Sequence, residues 1–359
     1  MDLPSEQHGD ETVAPRPLPP EEREPWGSFL RSMFRVGVNT FGGPVAQIGV
    51  MHKEAVETLR WVADAQFVHL LDFANILPGP EALEIAIHLG YLRRGVRGGI
   101  VAGLLFILPG FVSLTALAWM YHRYGQVPAV TAFLDGIRPI ALALIATAAV
   151  RLSGRSLKVG LSYLLMGTAF VASFLMRAPF VVVLGSSGLL GLLLAHHRKS
   201  ANESKTHGWA LTALVILLIV GNQLWPRTSG KPAEGLPGRE TTNLSGGPEV
   251  TVTRLGQIAW VNTKAALLTF GGAYTVLPVL REQTIGRYGW LTDRQVIDAL
   301  ALGETTPGPL ISIGVFLSYL AGGFPGAAVG CVFLFLPSFL FVLGLARYVE
   351  KVENLPYAR

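Results

Sequence analysis

The sequence predicts an all-α polytopic membrane protein of about ten transmembrane helices in two inverted-topology repeats, with broken helices at matched places. Three observations lead there. Half of the 359 residues are apolar and only 15% are charged, with a mean hydropathy of +0.44; a soluble domain carries roughly 25% charged residues. The chain also repeats itself. Thr40-Phe41-Gly42-Gly43 returns as Thr269-Phe270-Gly271-Gly272, and at the same offset Trp61 meets Trp290, Asp64 meets Asp293, and Pro78-Gly79-Pro80 meets Pro307-Gly308-Pro309. After a single-residue slip, Tyr91-Leu92, Gly95, Gly98, Leu108-Pro109, Phe111 and Pro128 match Tyr319-Leu320, Gly323, Gly326, Leu336-Pro337, Phe339 and Pro356. The third observation is the placement of basic residues between the apolar runs.

In chain order, residues 1–28 are rich in Glu, Pro and Arg and lack an apolar core. They read as a disordered cytoplasmic tail and not as a signal peptide. The first crossing, 30–51, is interrupted at Phe41-Gly42-Gly43-Pro44, where Pro44 suits the first position of a new half-helix. The second, 66–92, is broken midway at Pro78-Gly79-Pro80. Runs 99–121, 127–150, 159–176, 179–196 and 208–225 are uninterrupted and have about the 17–25 residues a bilayer requires. A polar linker over 226–254 precedes the second copy, with crossings at 256–280, 295–322 and 325–346, the first two broken where their counterparts are. The domains are therefore the tail, a first repeat with extra helices over 29–225, the linker, and a second repeat over 255–359. That second copy stops at Arg359, soon after Pro356, whereas the first runs on past Pro128, so it is expected to be a truncated copy.

Charge placement orients these segments. With the N-terminus in the cytoplasm, Arg93, Arg94 and Arg97, then Arg151, Arg155 and Lys158, then Arg198, Lys199 and Lys205, then Arg281, Arg287 and Arg294, and finally Arg347, Lys351 and Arg359 all fall inside. An alternative makes 66–92 and 295–322 re-entrant hairpins; it spreads basic loops over both faces and ranks second. With ten crossings, an odd number separates the starts of the two copies, which turns one upside-down relative to the other. The net charge of +5 is explained by this placement and requires no nucleic acid. The lone Cys331 excludes an intramolecular disulfide and a thiol metal site.

Broken helices survive in a bilayer only where protein or a watery cavity satisfies the freed backbone groups. Each restarted half-helix points free N–H groups and a positive dipole end inward, which suits an anion. The candidate binding set is Arg35, Thr40, Phe41, Gly42, Gly43, Asn75, Pro78, Gly79 and Pro80 in the first copy. In the second it is Lys264, Thr269, Phe270, Gly271, Gly272, Thr305, Thr306, Pro307, Gly308 and Pro309. Arg35 and Lys264 occupy matched positions before each Phe-Gly-Gly, either to meet an anion or to snorkel to the interface. The threonines offer hydroxyl donors beside the breaks, or simply cap the broken ends.

Glu304, replaced by Asn75 in the first copy, is the leading proton-coupling candidate, and Glu81 is the second. Glu81, Glu84 and His88 share one helical face and superficially resemble a metal site, but the second copy has only apolar residues or serine there. Glu81 is better read at the N-terminus of a half-helix. Asp135 and Arg138 lie one turn apart and are expected to neutralise each other, while Gly99/Gly103 and Gly326/Gly330 have the spacing of close helix packing. No phosphate loop, metal-ligand doublet or nucleophile–base grouping is evident, so neither cofactor, metal nor catalytic residue is expected.

The Phe-Gly-Gly element, Trp61 and Trp290, and Gly303-Glu304-Thr305-Thr306-Pro307-Gly308-Pro309 resemble the chromate ion transporter (CHR) family in its long two-domain form, over about 30–200 and 255–359. The resemblance implies a multi-pass bacterial inner-membrane protein of two homologous halves in opposite orientation. It implies export of chromate, with sulfate as a competing analogue. The expected partners are the transported ion and the lipid bilayer, with a second copy of the chain as the protein partner to test. Two rival readings are sulfate or other oxyanion uptake, and a membrane-embedded enzyme or scaffold.

Overall fold

The computed structural model describes residues 23–41, 43–125, 127–156, 160–174, 251–269 and 273–352, with isolated positions at 19 and within 182–188. Every regular element among them is helical. In chain order they are α1 (Trp26–Asn39), α2 (Gly43–His52) continued by a π-helical turn Lys53–Thr58, α3 (Asp64–Ile76), α4 (Glu81–Tyr124), α5 (Pro128–Ser156) and α6 (Gly160–Phe174). After the linker come α7 (Val252–Leu267), α8 (Val276–Arg281) continued by a π-helical turn Glu282–Arg287, α9 (Asp293–Glu304) and α10 (Ile313–Val352). The expected crossings at 179–196 and 208–225, the tail and the linker lie almost wholly outside the described residues.

The chain divides into two compact units, Met1–Ala141 with Gly235–Arg359, and Leu142–Glu234. The first unit holds both Phe-Gly-Gly and both Pro-Gly-Pro elements. The second contains the remainder of α5 and all of α6. These two helices fall at the places expected from 127–150 and 159–176.

Matched sequence gives matched local structure. The two π-helical turns begin and end at equivalent residues. α3 and α9 both start with an acidic residue, Asp64 or Asp293, which complements the helix dipole. Gln66 Oε1 accepts from the Ala63 amide at 3.1 Å, and Gln295 Oε1 from the Thr292 amide at 2.9 Å. His52 Nε2 lies 2.5 Å from Asp64 Oδ1, and Arg281 Nε lies 2.5 Å from Asp293 Oδ1. Those two pairs also occupy equivalent positions.

The helix breaks reverse the chain. Residues 35 and 54 of one straight helix would sit about 28 Å apart, yet Arg35 and Glu54 form an ion pair, and Phe29 stacks on Trp61 at 5.9 Å. α1 and α2 therefore fold back on each other across Phe41–Gly43. Phe73 of α3 likewise meets His88 of α4 at 5.5 Å between rings, where a continuous helix would hold them about 22 Å apart. In the second copy Arg254 lies over Trp290 at 4.9 Å, and Gly303 packs against Ile313. The segments expected to cross once over 30–51, 66–92, 256–280 and 295–322 are thus fold-back hairpins. The re-entrant arrangement ranked second for 66–92 and 295–322 fits these contacts better. Its physical basis is the turn itself: Gly79 at φ +149° and Gly308 at φ +96°, each between prolines, cannot continue the preceding helix axis. Half-helices of 13 residues such as α3 are also only about 20 Å long, short of a hydrocarbon core of about 30 Å.

α4 and α10 are hairpins as well. Arg94 (φ −144°, ψ 17°) and Gly95 (φ 65°, ψ −158°) interrupt α4, and Gly322 (φ −153°, ψ 23°) and Gly323 (φ 59°, ψ −156°) interrupt α10. The left-handed φ requires glycine at 95 and 323. A methyl group on Gly90 would lie 2.5 Å from Ala102 Cβ, although a straight helix would separate them by about 18 Å. Ser318 packs in the same way on Gly326 and Gly330. Each helix is therefore a buried arm (α4a, 81–93; α10a, 313–321) and a long arm (α4b, 96–124; α10b, 324–352). Within Glu81–Tyr124 and within Leu310–Leu345 an 18-residue stretch, of mean hydropathy 2.3 and 2.4, is apolar enough to cross a membrane.

The long arms run antiparallel. A methyl group on Gly99 would lie 2.7 Å from Leu343 Cδ2, and one on Gly103 would lie 2.5 Å from the Phe339 ring. Ascending α4b by one turn thus descends α10b by one turn. Gly99 and Gly103 serve close packing, as their spacing suggests.

Candidate functional site at the paired helix breaks

The four breaks meet in two crossed clamps. The Gly79 amide donates to the Thr269 carbonyl at 2.9 Å, and the Gly308 amide donates to the Thr40 carbonyl at 3.0 Å. Each Pro-Gly-Pro turn is therefore held by the threonine that ends the other copy's first helix. Gln47 Nε2 adds a 2.7 Å bond to the Gly308 carbonyl. Gly110, midway along α4b, approaches the second turn: a methyl group there would lie 2.9 Å from the Pro307 carbonyl. Its counterpart on α10b, Ser338, abuts Gly79. Both turns consequently sit at the level of the centres of the long arms.

α4b also defines direction through this site. At its start, the neighbouring Arg93 and Arg94 lie over Trp61 at 5.3 Å and Trp26 at 4.1 Å, the base of the first copy's hairpins. Its middle touches the turn at Pro307-Gly308. Near its end, Tyr121 donates to Asp298 Oδ2 at 2.8 Å. Asp298 is fully buried in α9 and is gripped on two oxygens by Arg138 of α5, at 2.5 and 2.9 Å. Arg138 also pairs with Asp135, as expected, and Asp135 accepts from Arg294 at 3.1 Å. Asp298, which sequence reading passed over, is thus the deep partner of Arg138. The missing signal was tertiary, since the two lie 160 positions apart.

The structure places the candidate anion residues unequally. Thr40 and Thr269 are fully buried, but their hydroxyls donate to the carbonyls of Val36 and Ala265 in their own helices. Thr305 and Thr306 hydroxyls donate to Leu302 at 2.9 Å and Gly303 at 3.0 Å. All four therefore cap backbone, and it is the Thr40 and Thr269 carbonyls that join the copies. Arg35 is exposed and paired with Glu54. Lys264 is half-buried and is also engaged. Phe41 and Asn75 are exposed. Gly42, Phe270, Gly271 and Gly272 lie outside the described residues.

Glu304 is buried, and its Oε1 accepts from Tyr274 hydroxyl at 2.7 Å. Gly43 completes the contact: a methyl group there would lie 3.1 Å from the Tyr274 oxygen and 3.6 Å from Glu304 Oε2. The first copy's Phe-Gly-Gly turn is thereby brought to the second copy's acid. Tyr274 was missed from the sequence, and so was a second donor. Ser312, 1% exposed, starts the arm after Pro309, and its hydroxyl has no protein partner. Its equivalent is Leu83, so comparing copies could have singled it out.

A family model described as chromate transporter matches residues 27–192 and 256–359. The chain belongs to the chromate transporter family. It is 35% identical to the chromate transport protein of Pseudomonas aeruginosa over 348 residues, covering 96% of this chain and 78% of that one. It is 31% identical to the probable chromate transport protein of Synechococcus elongatus over 323 residues, covering 90% and 76%. It is 30% identical to the chromate transport protein of Cupriavidus metallidurans over 325 residues, covering 90% and 74%. No solved structure matches. Membership in the chromate transporter family makes this a membrane-integral chain whose relatives are named as transport proteins, not enzymes.

Proposed function

We propose that this protein is a secondary transporter that exports chromate across the bacterial inner membrane through an anion site between the two crossed clamps. The observation that carries this reading is the reciprocal pair of bonds from Gly79 to Thr269 and from Gly308 to Thr40. They bring two sets of interrupted helix ends, with first-turn amides that lack intrahelical partners, to one level of the fold. The amides after Pro309 and the unpartnered Ser312 hydroxyl are the donors we assign to a tetrahedral dianion. Arg35, once released from Glu54, and Lys264 are proposed to attract the anion along the approach, and the remaining Thr, Phe-Gly-Gly, Asn75 and Pro-Gly-Pro positions to shape the passage. Glu304 and Glu81 are the proposed proton carriers.

The copies are proposed to be inverted repeats, with an N-terminus in the cytoplasm. Antiparallel α4b and α10b support this. So does the path along α4b, which leads from the first copy's base, past the second copy's turn, toward α9. Replacing four broken crossings by fold-back hairpins leaves an odd number of crossings between the copies, so the parity is kept.

Export fits the energetics of a dianion. Moving two negative charges outward across about 100 mV, inside negative, releases about 4.6 kcal/mol, enough to sustain roughly a thousandfold gradient. Chromate movement in everted vesicles, with the potential and the pH gradient collapsed separately, tests this reading. Loss on collapsing the potential is expected; flux that needs an imposed cation gradient and runs into the cell overturns export.

A further inference from the structure

The first copy contains a buried polar group that the anion site does not use. Glu81, Glu84 and His88 follow one another along one face of α4a and are 5%, 1% and 5% exposed. Glu81 Oε2, Glu84 Oε2 and His88 Nδ1 have no hydrogen-bond partner. Glu84 Oε1 has only a long contact from Ser338 Oγ, at 3.3 Å. The His88 ring is packed edge-on by Phe73 at 5.5 Å and by Tyr91 at 6.2 Å. Among the described residues no Lys or Arg pairs with any of the three, and no three His, Cys, Asp or Glu side chains are placed to hold a metal ion.

The fold does not require acids at these positions. At the same offset the second copy has Leu310, Ile313 and Leu317, all buried. Two carboxylates one turn apart in a dry interior would each cost several kcal/mol to ionise without a partner. A purely structural carboxyl would turn its oxygens to donors; here one oxygen of each acid and one ring nitrogen remain unpaired.

We infer that Glu81, Glu84 and His88 form a proton-binding site, present in the first copy only, whose occupancy is coupled to anion passage. This rests on the transport reading and adds Glu84 and His88 to it. The titratable group facing Glu84 is Glu81 on the same helix; α10b presents Ser338, and α3 presents Phe73 to His88. A proton from water on one side adds to a carboxylate oxygen, and on release it passes to water on the other side, regenerating the carboxylate. No bond to the anion is made or broken. The Ser338 contact ties access to the position of α10b.

The full chain is reconstituted in liposomes loaded with chromate, the potential is clamped at zero, and a pH gradient is imposed in either orientation. Wild-type flux is expected to accelerate in one orientation, and Glu84→Gln and His88→Gln are expected to lose that acceleration completely. A Glu81→Gln/Glu84→Gln double variant that responds like wild type, or a sodium gradient that replaces the pH gradient, overturns the proposal. Infrared difference spectra of the detergent-solubilised full chain, between acidic and alkaline buffer, give an arm independent of flux. The buried protonated-carboxyl band should shrink with each Gln; equal bands in wild type and the double variant overturn the site. If wild type carries no chromate under any condition, the transport reading fails and the infrared arm still decides the proton site.

Discussion

The turn at Pro78–Pro80 and the turn at Pro307–Pro309 have equivalent neighbours. Each donates its glycine amide to the threonine ending the other copy's first helix, and each is covered by the middle of the other copy's long arm. Their chemistry nonetheless differs. After the first turn come Glu81 and Glu84; after the second come Leu310, Ser312 and Ile313. Before the turn stands an acid, Glu304, in the second copy and a neutral amide, Asn75, in the first. The repeat supplies a symmetric scaffold, and a few substitutions on it make the two halves of the site unlike.

The largest effect that would sharpen this comparison lies in α9, where the second copy has Asp298 and the first has His69. Arg138→Ala leaves the fully buried Asp298 carboxylate without its cation, with only the Tyr121 hydroxyl still donating to it, and should destabilise by about 3–5 kcal/mol, read as a fall in Tm in detergent. Adding Asp298→Asn should restore most of it; no restoration would mean that Arg138 acts by packing alone.

The turns themselves come next. Gly79→Ala and Gly308→Ala each force an alanine into a left-handed φ and a crowded site, costing about 1–3 kcal/mol. At Gly79 the crowding comes from Ser338 Oγ and Glu84, so Ser338→Ala should recover part of the loss. It should recover nothing at Gly308, whose nearest neighbour is Gly110 backbone at 3.0 Å. Equal rescue at both sites would break the distinction.

Tyr274→Phe removes the hydroxyl that serves Glu304 and should cost about 1–3 kcal/mol. Its counterpart in the sequence is Val45, an aliphatic residue with no hydroxyl to lose, so Val45→Ala should not reproduce a hydrogen-bond loss. Thermal melts of the two variants compare them directly. The smallest expected effects are those of Thr40→Val and Thr269→Val, each about 1 kcal/mol and alike. Their carbonyls hold the clamps, while their hydroxyls only cap their own helices. A large difference between the two variants would show that the hydroxyls act beyond the helix end.

Sequence reading located all four breaks because glycine and proline act locally, through φ and a missing N–H. Residues 81–92, apolar apart from Glu81, Glu84 and His88, could not reveal whether the helix before Pro78 continues or reverses. That depends on Phe73 meeting His88, as the reversal at Phe41–Gly43 depends on Arg35 meeting Glu54, contacts invisible to periodicity. For the threonines the sequence left two roles open, donor to a ligand or cap of a broken end; helix geometry offers each hydroxyl a carbonyl about one turn back.

By itself the sequence determined a lipid-compatible composition, the duplication, the positions of the breaks and the family. Each follows from residue type and spacing along the chain. Only the tertiary structure decided that the breaks fold back, that the clamps cross between copies, and that Asp298 belongs to Arg138. These are contacts between residues far apart in sequence, where burial and hydrogen-bond geometry, not local propensity, select the partner.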